Sequence, residues 1–169
     1  MTGIAYSCGT VAMELSSPPI MAAECHCASC REAAARLAAE VTESNGGTRF
    51  VLQRKDRARV LRGADRLAAF RLTPDAGTVR VAAACCGSPL WMEMKGGHWI
   101  SIYAARFPEG TAPPPELRTM TRDALAPLAD DVPGARTQSA GFMARLAWAW
   151  VRMGFRNPPV ADVKEAHHA

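Results

Sequence analysis

Cys25-His26-Cys27-Ala28-Ser29-Cys30-Arg31-Glu32 is the stretch from which the rest of this chain is read. A C-x-C-x-x-C cluster brings three sulfurs within reach of one ion with no help from distant residues. Zinc takes four ligands, so three thiolates leave one position for a remote side chain, water or a substrate. A filled fourth position makes the site structural, and an open one allows chemistry. Ser29-Cys30-Arg31-Glu32 has the form of a capping box ahead of an alanine-rich run, which predicts a helix over residues 30–41 with Cys30 at its first position. There the helix dipole favours the thiolate, the form that binds metal. Two other readings stand beside the metal site: reduced cysteines packed as small hydrophobes, and a redox pair of Cys27 and Cys30.

With 169 residues, 49% of them hydrophobic and 21% charged, the chain has the composition of one globular domain. No apolar stretch approaches the roughly 18 residues that a membrane span needs. The first residues lack a basic start followed by an apolar run, so no secretory leader is expected. Cysteines grouped for metal rather than spread as a disulfide framework point to a reducing compartment, and the expected location is cytoplasmic. The net charge is +4, with many arginines between Arg49 and Arg80. That stretch has too few aromatics for a nucleic-acid stripe, and no nucleic-acid partner is expected. It reads as the solvated face of strands. The alternative is a funnel for a small anion, with Arg54, Arg71 and Arg80 as the contacts.

Along the chain, residues 3–15 read as a strand, followed by the cysteine loop and the helix. Asn45-Gly46-Gly47 marks a turn, and strands are expected over residues 48–53, 59–61, 67–72 and 78–84. Residues 90–94 and 98–104 read as a hairpin around Lys95-Gly96-Gly97. The organisation that follows is a β-rich domain over residues 3–107. A Pro-rich connection over 108–138 carries a short helix within 116–128, a helix over 139–156 packs on the β domain, and 157–169 form a loose tail. In the last helix Phe142, Leu146, Ala149, Trp150 and Met153 share one face, beside a stripe of Arg145, Arg152 and Arg156. Packing on the β core is the expectation; a basic amphipathic helix can also lie on a membrane surface.

Cys8-Gly9 in the first strand, Cys25-His26-Cys27-x-x-Cys30, Gly46-Gly47-Thr48 and the later Cys86-Gly87-Ser88-Pro89-Leu90 together resemble the glutathione-dependent formaldehyde-activating enzyme family. That group includes the centromere-protein-V domain, and residues 3–107 carry the resemblance. Arg71-Leu72-Thr73-Pro74 and the double cysteine are closer to a divergent bacterial branch. The resemblance implies a mainly β fold: a β-tent of small antiparallel sheets, with a short helix after the cysteine loop and a C-terminal amphipathic helix. It implies zinc at Cys25, Cys27 and Cys30, with a thiol adduct as fourth ligand. It also implies a second, closed four-cysteine zinc site. Here Tyr6 and Ala83 stand where two of those ligands would be, leaving Cys8 and Cys86, with Cys85 as an extra thiol. Either Cys85 moves in, or the second site is lost, or Cys8 or Cys86 closes the first site.

The activity implied is that of a carbon–sulfur lyase acting on a thiol–aldehyde adduct of the S-hydroxymethylglutathione type, with a small thiol or glutathione conjugate as partner. Three thiolates make zinc a weak Lewis acid for water and a good host for a soft thiolate. A proton carrier is then needed. His26 is the candidate within the cluster, although as the middle residue of C-x-C its side chain can point away from the metal. His98 is the other candidate, and Tyr103 could orient a substrate hydroxyl. The competing functions are a non-catalytic zinc-stabilised binding module and a thiol redox sensor.

Overall fold

The computed structural model describes the backbone of residues 2–5 and the whole of residues 9–163. Among the described residues, ten strands form two sheets. The small sheet joins β1 (Thr2–Ala5), β2 (Ala12–Leu15) and β5 (Ala58–Arg62) in the order β1-β2-β5. The large sheet contains β3 (Met21–Cys25), β4 (Thr48–Arg54), β6 (Leu67–Phe70) and β7 (Thr78–Ala83). It also contains β8 (Pro89–Met94), β9 (Trp99–Tyr103) and β10 (Leu117–Thr119), in the order β10-β3-β4-β9-β8-β7-β6. All pairings are antiparallel except that of β10, which runs parallel to β3. The described residues also form two α-helices, α1 (Ala28–Arg36) and α2 (Ala140–Arg152). The chain is thus mainly β, with one helix after the cysteine loop and one near its C-terminal end.

The period-2 alternation of the strands sorts side chains onto the two faces of the large sheet. Val81 and Ala83 of β7, Leu90 of β8, and Ile100 and Ile102 of β9 face the small sheet, where Val11, Met13, Leu15 and Ala58 complete one core. Met21 and Ala23 of β3, Phe50 and Leu52 of β4, and Tyr103 of β9 face the other way. They pack with Cys30 and Ala34 of α1 and Leu146 of α2 in a second core.

Several expectations change. Residues 3–15 are not one strand: β1 and β2 pair antiparallel, with Gly9 at φ +64° on the way back. The helix begins at Ala28 with Cys27 at its N-cap, so Ser29 lies inside it and does not cap it. Nor does the helix reach Val41. It ends at Leu37, where Ala38 adopts φ +46° and the Ala39 and Ala38 amides return to Ala34 and Ala35. The alanine run has helix propensity to spare, but Val41 is needed in the second core and Thr42 bridges Thr48. Within residues 116–128 the chain forms β10 and a single 3-10 turn (Thr121–Asp123) rather than a short helix, because the edge of β3 offers backbone partners. Val160, Ala161 and Val163, placed in a loose tail by the sequence, pack against the first core. The His167-His168 pair lies outside the described residues.

The closing turn of α1 has the Schellman geometry that glycine normally completes, yet Ala38 occupies the left-handed position. Ala38→Gly is expected to stabilise the fold by about 0.5–1 kcal/mol, relief of the left-handed Cβ clash outweighing the added chain entropy. A thermal melt should then rise by roughly 2–4 °C.

Helix α2 is held to the sheet by its Leu146, Ala149 and Met153 face, all buried, and by His98, whose Nε2 lies 2.7 Å from the Leu146 carbonyl oxygen. The imidazole also stacks on Trp150 at 5.5 Å between centroids and an interplanar angle of 9°. Burial holds the His98 pKa below its ordinary 6.5, against the pull of the Leu146 carbonyl. A lowered histidine pKa favours the neutral ring in the folded state. Its contribution is therefore complete above pH 6.5 and is lost as pH falls through the depressed value. Tryptophan emission from the α2 contact should change on acidification in that window, and His98→Gln should remove the transition.

Candidate metal centre

Strand β3 ends at Cys25, and the chain turns directly into α1, so the three cysteines span a strand end, an N-cap and a first helical turn. Their three sulfurs all lie within 4.8 Å of one another, with Cys27 Sγ 3.0 Å from Cys30 Sγ. Cys30 is buried, whereas Cys25 and Cys27 are partly exposed. The loop is fastened by Arg31, which donates from Nη1 to the His26 carbonyl at 2.5 Å and from Nη2 to the Asp123 carbonyl at 3.0 Å. Crowding of the sulfurs separates their acidities. Hydrogen bonding with Cys25, Cys30 and the Ser29 hydroxyl holds the Cys27 thiol down at about 2. The same contacts, with burial, push Cys25 up and Cys30 well up. A set of three soft donors on one side of a point fits a soft or borderline divalent ion, and these cysteines could hold one.

Among the described residues, this group contains no histidine or carboxylate. His26 is fully buried and follows the strand parity of Glu24, not that of Cys25. Its Nε2 lies 2.8 Å from Glu24 Oε1, on the face turned away from the sulfurs. The geometry gives His26 a structural role, and we do not assign it the proton transfer expected from its place in the motif. Glu24 also accepts from Asn45 Nδ2 at 2.7 Å and lies 3.5 Å from Arg118 Nε. Arg118 in turn pairs with Asp131 at 2.6 Å. Gly47 closes this network. A Cβ there would stand 2.5 Å from Glu24 Oε1 and 2.9 Å from His26 Cε1, which is why the turn before β4 is glycine. Sequence reasoning missed this network. Its one local signal was an acid in Met21-Ala22-Ala23-Glu24-Cys25, an otherwise apolar strand.

On the sulfur-bearing face, two residues named from the sequence meet the cluster. Tyr103 is fully buried, and burial, reinforced by the nearby Cys30 sulfur, raises its hydroxyl pKa. Arg80 is not on a solvated strand face. Its position in β7 puts it opposite Val79 and Val81, so the guanidinium is buried, and Nη2 donates to the Ser29 carbonyl at 3.1 Å. Its Nε finds no partner, and among the described residues no carboxylate pairs with it. An uncompensated buried guanidinium costs several kcal/mol. Arg80 also hydrogen-bonds Tyr103, whose hydroxyl pKa it pulls down against the effect of burial. His98 lies at α2, away from the sulfurs. Arg54 chelates Asp56, and Arg71 donates to the Ala76 carbonyl in its own turn. Cys85 and Cys86 are exposed at the turn after β7, and Cys8 lies outside the described residues, so the second metal site is not described.

Residues 1–107 match the model of a family of unknown function, DUF6151. The chain belongs to that family. The match carries both sheets up to the end of β9 and the cysteine cluster, and stops short of β10 and α2. A comparison with curated proteins gave no match. Among solved structures the chain is similar to a crystal structure of a Rhodobacter sphaeroides protein, with 21% identity and a TM-score of 0.49 over 79% of this chain and 100% of that one.

Proposed function

We propose that Cys25, Cys27 and Cys30 hold one zinc ion whose remaining position receives a small thiol, and that the protein is a carbon–sulfur lyase of the glutathione-dependent formaldehyde-activating type. The observation that carries this reading is the triad itself: three sulfurs within 4.8 Å, two of them partly exposed, at the start of a helix. Bound zinc would lower the pKa of an incoming thiol and stabilise it as thiolate. The protein's own residues would hold and balance the site. Arg31 fixes the loop, α1 directs its positive end at Cys27, and Arg80 holds the first turn of α1 through the Ser29 carbonyl. In the reaction a thiolate sulfur adds to an aldehyde carbon, and the carbonyl oxygen takes up a proton. The reverse step breaks that carbon–sulfur bond and returns thiol and aldehyde.

A second reading, a zinc-stabilised binding module without turnover, is favoured by the position of His26, which pairs with Glu24 on the far side of the strand. Nuclear magnetic resonance exchange between formaldehyde and its glutathione adduct separates the two. Faster exchange in the presence of zinc-loaded protein, absent with Cys27→Ser, supports the lyase. Stoichiometric zinc with exchange at the uncatalysed rate supports the module and overturns the lyase.

A further inference from the structure

Helix α2 has an unusual outer surface. Its buried side is formed by Leu146, Ala149 and Met153, with Phe142 partly covered. The side turned to solvent is apolar as well. At 100° per residue, Trp150, Met143, Ala147, Val151, Ala144 and Trp148 cover a continuous exposed arc of about 160°. Trp148 is 62% exposed, and Phe155, just past the helix end, is 64% exposed. A helix that is apolar around most of its circumference ordinarily has both faces covered. What interrupts this one is only positive: Arg145 and Arg152, with no acidic residue anywhere in α2.

The neighbourhood continues the pattern. Between α2 and the Ser17–Ile20 segment runs a groove of about 570 Å³ lined by Arg54, Arg57, Arg145, Arg152 and Trp148. Its four arginines face two carboxylates, Asp56 paired with Arg54 and Arg57, and Glu116 paired with Arg145. The groove therefore keeps a positive excess beside the exposed Trp148. An exposed indole ring with arginines at its margin suits the boundary between acyl chains and anionic headgroups. No helix among the described residues is long and apolar enough to cross a membrane, so this one would lie along the surface. A second copy is the poorer occupant, since it would bring arginines against an α2 that has no acid to meet them.

We infer that the outer face of α2 docks on an anionic lipid surface, with Trp148, Val151 and Met143 inserted and the arginine-lined groove seated on phosphate headgroups. The test is co-sedimentation of the 169-residue chain with vesicles of phosphatidylglycerol and phosphatidylcholine in equal parts, against vesicles of phosphatidylcholine alone, at low and high salt. Binding to the anionic vesicles is expected to exceed that to the neutral ones by about tenfold or more, to fall with salt and to shift tryptophan emission to the blue. Trp148→Ser with Val151→Ser should cut it by about tenfold, and Arg152→Glu should remove the anionic preference. Circular dichroism and metal content of each variant establish that it is folded. Equal binding to both vesicles, no binding by folded protein, or a lipid-free dimer dispersed by Trp148→Ser would each overturn the proposal.

Discussion

Cys27→Ser is expected to leave the purified protein with less than about a tenth of the zinc carried by the unaltered chain, because removing one of three thiolates forfeits much of a binding energy that runs to roughly 10–16 kcal/mol in small zinc sites. Cys27 is the most sensitive of the three. It is the N-cap of α1, its sulfur is 3.0 Å from Cys30 Sγ, and it hydrogen-bonds with its neighbours. The serine hydroxyl is a harder, weaker donor that keeps its proton near neutrality, so it cannot replace the thiolate. Elemental analysis of protein prepared without added zinc measures the ratio directly. A variant that retained its full zinc content would place the ion elsewhere. Loss of the ion also removes the stabilisation that binding gives the folded state, so the variant is expected to melt earlier than zinc-loaded protein.

Glu24→Ala is expected to destabilise the fold by about 3–5 kcal/mol, the cost of leaving buried polar partners unpaired. Glu24 accepts from Asn45 Nδ2 and lies within ion-pair distance of His26 and Arg118, three residues from three separate segments of chain. Its loss strands a fully buried imidazole and loosens the contact that draws β10 against β3. Chemical denaturation of the variant against the parent measures the difference. His26→Ala should cost less, because Glu24 keeps Asn45 and Arg118. A loss for Glu24→Ala no larger than that for His26→Ala would show that the network is not centred on the carboxylate. Glu24 immediately precedes Cys25, so the same variant should also bind metal less tightly, through a less rigid loop.

Most of the strand framework could be read from local pattern. Thr48-Arg49-Phe50-Val51-Leu52-Gln53 and the hairpin at Lys95-Gly96-Gly97 lie where alternation and turn residues place them. Both signals depend on neighbours within a few positions. The helix boundaries were harder. Ser29 and Glu32 carry a capping pattern, but Cys27 takes the N-cap because β3 delivers the chain there, and the alanine run stops at Ala38 because Val41 is needed in the core. Arg118 and Val163 gave no sign of their contacts, since their partners lie far away in the chain.

The sequence by itself determined the cysteine triad, since its spacing alone brings three sulfurs together, and the alternation that builds the sheets. Tertiary structure decided which other residues meet that triad. Strand parity sends Cys25 and Arg80 to one face and Glu24 and His26 to the other, and sheet order brings β7 and β9 to the cluster and β10 to Glu24. Parity can be counted along a strand. Which face is buried, and against which distant segment, depends on how the strands are ordered in the sheet, and no local run of residues encodes that order.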